Sequence, residues 1–138
     1  MPNGPTHSTL TILTSATIFG ASVYLSAPIE TTVALTAGCL AGLIIHPDLD
    51  YADRRRGLWY RFWWFYGRAI AHRHALSHFP IFSTLFRVLY ISPIPLAFIL
   101  YHNIVPTPNW FYALVGLVVA DTIHYLADTI TTSIKKAF

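Results

Sequence analysis

From Ser8 to Ile29 the chain reads STLTILTSATIFGASVYLSAPI, without one charged side chain. Thr9–Ala27 alone is long enough to cross the roughly 30 Å hydrocarbon core of a bilayer as a helix. A short chain with such a stretch must bury it in a large apolar core or leave it in lipid. The composition argues for lipid. Charged residues make up only 11% of the 138 residues, against roughly 25% in an ordinary globular domain. Apolar residues make up 54%, and mean hydropathy is +0.50. Too few polar groups remain to cover a soluble surface. The expectation is an all-α, membrane-embedded bundle of about four hydrophobic helices forming a single domain over residues 1–138. The YLSA stretch loosely resembles a signal-peptidase site. However, MPNGPTHS carries no positive residue and Pro28 would follow the cut, so cleavage is not expected.

Three further apolar segments follow. Thr31–Ile45 is short for a span, and its Ala, Gly and Thr residues suit close helix contact. Ile81–Tyr101 contains Pro93 and Pro95, which predict a kink or a break. The fourth covers about 110–134, after the proline-containing loop HNIVPTPN. Cys39 is the single cysteine, so an internal disulfide and a cysteine-based zinc site are both excluded.

Between the second and third segments, arginines interleave with Trp59, Tyr60, Phe62, Trp63, Trp64, Phe65 and Tyr66. That pattern predicts an interfacial helix, with aromatic rings at the headgroup level and arginines reaching towards phosphate. Such interleaving also occurs in single-strand nucleic-acid binders. Apolar segments on both sides favour membrane lipids as the partner and no nucleic acid.

Four alternating crossings would put both termini, HPDLD (46–50), the Arg/aromatic stretch, HRHALSH (72–78) and the second half of the last segment on one side. All Lys and Arg lie on that side or near it, so the positive-inside rule makes it cytoplasmic. Five of the six acidic residues and six of the seven histidines gather there too. In DTIHYLAD, Asp121, His124 and Asp128 fall within about 60° of arc on a helix. Bare carboxylates inside such a segment are costly, and a divalent cation would neutralise them. Asp48 and Asp50 can bend towards one centre. His74 and His78 share a helical face, whereas His72 and His78 both point inward only if that segment bends. Taken singly, each motif has a plainer reading: an interhelical hydrogen bond, a helix-end turn, or interfacial polar residues. His7 can equally belong to a helix start capped by Ser8 or Thr9. His46 and His74 can be groups that orient ligands or bind substrate. Their joint location favours a metal site, with Zn, Mn or Fe as the divalent ion and one or two ions bound.

At these residues the chain resembles a family of small bacterial proteins described as metal-binding and, more distantly, bacterial inner-membrane metal-dependent hydrolases. The stretches that carry the resemblance are GPTHS (4–8), HPDLD, HRHALSH, RVLY (87–90) and DTIHYLAD. The resemblance implies His7, Asp48, Asp50, His72, His78, Asp121, His124 and Asp128 as metal-site residues. The chain departs from the pattern at Ser8, where the family has Asp, and at His46, where it has Ser.

The expected function is a metal-dependent hydrolase of the bacterial inner membrane, multi-pass with cytoplasmic termini, acting on a phosphate-containing amphiphile. An Asp or His not used as a ligand would serve as general base, and Asp50, Ser77 and Arg73 are the catalytic candidates, with Ser77 as a substrate-contacting hydroxyl and Arg73 and the Arg54–Arg56 run as anion-binding groups. No arginine precedes Asp121 on its helix, which disfavours the histidine-phosphate chemistry of membrane acid phosphatases. The alternative is a non-catalytic protein in which a structural metal ties the helices together and the Arg/aromatic surface binds a partner or lipids.

Overall fold

The computed structural model describes residues 4–51, 57–69 and 79–137, and these contain helices and connecting turns but no strand. The chain divides into two compact units, Met1–Ile44 with Pro106–Phe138, and Ile45–Val105.

The first unit holds α1 (Gly4–Tyr24), α2 (Ile29–Ala41) and a long helix near the C-terminus, Asn109–Ala137. The α1–α2 connection turns at Ser26, which takes a left-handed φ of 53°. Pro28, which cannot continue a preceding helix, stands just before α2. α2 meets the long helix almost backbone to backbone. A Cβ on Gly38 would fall on the Ala113 carbonyl. One on Gly116 would fall on the Leu35 carbonyl and 2.8 Å from the Cys39 nitrogen. Gly42 faces the Ala120 methyl in the same way. Small residues let two helices approach this closely, which is the contact expected of the second apolar segment.

The second unit holds a 3-10 turn (Pro47–Tyr51), α3 (Leu58–Ala69), α4 (Pro80–Ile91) and α5 (Pro93–Tyr101), which makes the long helix α6. Its core is Leu49, Trp63 and Tyr66, with Ile45, Phe62, Tyr90 and Ile91 packed around them. The rings of Trp63 and Tyr66 meet edge to face at 5.4 Å, and Trp63 lies 5.3 Å from Tyr90. Trp59, Phe62, Trp63 and Tyr66 follow the i, i+3, i+4, i+7 spacing of one helical face. The Arg/aromatic stretch is therefore a helix, as expected, but Trp63 is 0% exposed and builds a protein core. Leu58, Trp59, Arg61, Phe65 and Arg68 are exposed.

The expectation of four spans needs correction. Among the described residues, one helix is long and apolar enough to cross a membrane, over Asn109–Ile134. A second crossing is available only if α4 and α5, bent by 53° at their junction, count as one broken span. The bend falls at Ser92–Pro93, where the sequence predicts it. α1 is 21 residues long, but its many Thr and Ser residues dilute its apolar character. α2 has only 13 residues.

Both units bury some polar groups and expose many large apolar ones. On α4 the buried face is Pro80, Ser83, Thr84 and Arg87, while Ile81, Phe82, Leu85 and Leu89 are exposed. On α1 the buried residues include His7, Thr11 and Ser15, one turn apart, while Ile12, Leu13, Phe19 and Val23 are exposed. The buried hydroxyls of Ser15 and Thr84 donate to the carbonyls four residues back, Thr11 and Pro80, so they add no unsatisfied group to the interior.

Candidate metal centre

Helical spacing alone puts Asp121, His124 and Asp128 on one face of α6, and that face is turned inward. Asp121 is 1% exposed and His124 is buried. α1 supplies the partner. It begins at Gly4, so His7 sits in its first turn and neither Ser8 nor Thr9 acts as its cap. The His7 and His124 rings stack with centroids 3.8 Å apart and planes 14° from parallel. Nitrogens of the two imidazoles come within 4.8 Å of one another.

Asp128 closes the group. Its Oδ1 lies 3.3 Å from His7 Nε2, and its Oδ2 lies 3.7 Å from His124 Nε2. Both carboxylate oxygens are shielded from solvent, yet neither accepts a hydrogen bond from the described residues. A buried carboxylate without donors is strongly disfavoured unless a positive charge sits against it. Metal–ligand bonds of about 2.1 Å place neighbouring ligand atoms roughly 3.0–3.5 Å apart around an ion, which is the scale of the distances found here. Metal binding needs neutral imidazoles and an ionised carboxylate. In that state the two stacked rings do not repel. The donor set, two nitrogens and carboxylate oxygen with Asp121 on the same stripe, suits Zn or another divalent transition metal. The donor types of these residues fit a divalent ion, and one imidazole must turn for both in-plane lone pairs to meet it, because those of parallel rings do not converge.

Asp48 and Asp50 belong to the 3-10 turn of the second unit. There Pro47 and Leu49 are buried and Asp48 is half-buried. The turn thus alternates apolar anchors with acids, a pattern readable in Pro-Asp-Leu-Asp itself. The side chain of Asp50 lies outside the described residues, as do His72, Arg73, His74, Ser77 and His78. His46 is half-buried. His102 packs at the end of α5 against Phe98 and Tyr101, at 4.4 and 4.9 Å.

The sequence reading gave no role to Arg87. It is 0% exposed, with Nε donating to the Ser83 carbonyl at 3.1 Å and Nη1 to the Ile45 carbonyl at 3.2 Å. The available signal was its position on the Ser/Thr face of an otherwise apolar helix.

No curated protein and no solved structure matches the chain. A family model does, over residues 2–107, under the description uncharacterized metal-binding protein (DUF2227). The matched residues take in His7 and the Pro47–Tyr51 turn and stop before α6, so Asp121, His124 and Asp128 lie beyond them. With most of its length matched, and with a nitrogen–oxygen donor set joining matched His7 to α6, the chain belongs to this metal-binding family.

Proposed function

We propose that this chain is an integral membrane protein that binds a divalent cation between α1 and α6 and catalyses hydrolysis of an amphiphile at the cytoplasmic leaflet. One observation carries the metal reading. The shielded Asp128 carboxylate, with no hydrogen-bond donor among the described residues, faces His7 and His124 at 3.3 and 3.7 Å. Membership of a metal-binding family supports it independently. Asp48, Asp50, His72 and His78 enter the ligand set on their sequence motifs alone.

The inverted distribution of side chains supports membrane integration. Buried hydroxyls and ionisable groups beneath exposed Leu, Ile and Phe suit a hydrocarbon surround and suit water poorly. The crossings are α6 and the bent α4–α5 pair, with Lys135, Lys136 and the Arg54–Arg56 run on the cytoplasmic side.

A bound divalent ion would lower the pKa of a coordinated water and polarise the scissile group. The chain's own residues would hold that ion, exclude bulk solvent around Asp121 and His124, and supply Arg73 for an anionic headgroup. An Asp or His left out of the ligand set would act as the base, and Ser77 would be the substrate-contacting hydroxyl.

The test is elemental analysis of the purified protein, compared with Asp128→Asn and His124→Ala. The wild type retains a stoichiometric divalent metal and both variants lose it. Undiminished metal in both would defeat the site. Hydrolysis is checked separately by offering phospholipid and phosphoester amphiphiles to the metal-loaded and the chelator-treated protein. Retained metal without turnover would leave a structural ion in place of an enzyme.

A further inference from the structure

The contacts of the fully buried Arg87 guanidinium include two carbonyl groups, and one of them is informative. Its Nε donates to Ser83 O, one turn back on its own helix, which orients the side chain. Its Nη1 then reaches Ile45 O, 42 positions away in sequence. Ile45 leads directly into the Pro47–Tyr51 turn, where Leu49 N donates to His46 O at 3.2 Å and the Leu49 side chain enters the aromatic core. One turn further along α4, the Tyr90 hydroxyl donates to Phe62 O at 2.6 Å and so pins α3. The Arg-Val-Leu-Tyr stretch therefore makes two separate attachments: Arg87 holds the entry to the acidic turn, and Tyr90 holds the helix behind it.

We propose that Arg87 is a positioning residue that fixes the backbone ahead of Asp48, so that its carboxylate is preset to receive a divalent cation. This rests on the metal-binding reading above. A guanidinium already held by its own helix loses little freedom in gripping Ile45 O, and donors that orient a ligand segment strengthen binding without touching the ion.

The experiment is a Zn2+ titration of the full chain in lipid nanodiscs, followed by calorimetry and by amide hydrogen exchange over residues 45–51. The wild type, Arg87→Met, Arg87→Lys and Tyr90→Phe are compared. Arg87→Met is expected to weaken Zn2+ binding roughly 10–100-fold and to speed exchange in 45–51. Arg87→Lys, which keeps one donor, recovers part of the affinity. Tyr90→Phe lowers thermal stability and leaves Zn2+ affinity unchanged. Two results would overturn the proposal: wild-type affinity in Arg87→Met, or an equal loss in Tyr90→Phe, which would reduce Arg87 to general scaffolding. If the Met variant fails to fold, the Lys variant decides through exchange in 45–51, and faster exchange there with wild-type Zn2+ affinity overturns the proposal as well. A wild type that takes up no Zn2+ defeats the metal reading itself and this inference with it.

Discussion

The two units solve the same packing problem by opposite means. In the first, α2 and α6 come together on glycines, with Gly38 and Gly116 each set against the other helix's backbone. In the second, large rings do the filling, with Trp63 and Tyr66 wrapped around Leu49 and Tyr90 closing the side. Each keeps ionisable groups inside: His7, Asp121 and His124 in one, Arg87 in the other. The difference teaches where the tolerance to change lies. A glycine contact fails when an atom is added, and a ring core fails when atoms are removed.

The comparison can be broken at its strongest point first. Trp63→Ala empties the centre of the aromatic core and is expected to cost about 3–5 kcal/mol. Hydrogen exchange should show protection lost earliest in α3 and α4, and unchanged protection there would show that the rings are not the core. Gly116→Ala comes next. Its methyl meets the Leu35 carbonyl, which cannot swing aside as a side chain can, so the expected cost is about 1–3 kcal/mol. A thermal melt equal to that of the wild type would mean that the two helices are not in backbone contact.

Tyr90→Phe removes one hydrogen bond to Phe62 O while keeping the ring, at a cost of about 0.5–1.5 kcal/mol. Urea titration in a fixed detergent reads that loss, and a larger one would mean that the ring's own packing had been disturbed. Gly20→Ala is the smallest change and has the opposite sign. Nothing lies within 4 Å of the added methyl, so α1 should gain roughly 0.5–1 kcal/mol from the better helix former. A loss at Gly20 would show that this face of α1 is covered after all.

Much of the architecture was legible because it is local. Pro93 ends one helix and begins the next wherever the chain goes, and the 53° bend follows from it. The stripe of Asp121, His124 and Asp128 needs only 100° per residue to line up. The roles of the aromatics were not legible. Trp59, Phe62, Trp63 and Tyr66 form one helical face, and such a face looks the same whether it meets lipid or another helix. Only the presence of Leu49 and Tyr90 beside it decides between them. The count of spans is not legible for a related reason. Lack of charge alone does not make a span, and α1 is diluted by Thr and Ser whose hydroxyls bond back to their own helix, as Ser15 and Thr17 do.

The sequence by itself determined an all-helical chain with few charges, a proline break at 93 and an acidic, histidine-bearing stripe on the last helix, because each depends on neighbours a few residues apart. Only the tertiary structure decided that His7, which sequence also allowed as part of a capped helix start, stacks on His124 and faces Asp128. It alone joined Arg87 to Ile45. Those pairings join residues from opposite ends of a unit, and no spacing rule predicts which helix faces which. Close packing on small residues and rings, with several polar groups drawn into the interior, makes that choice.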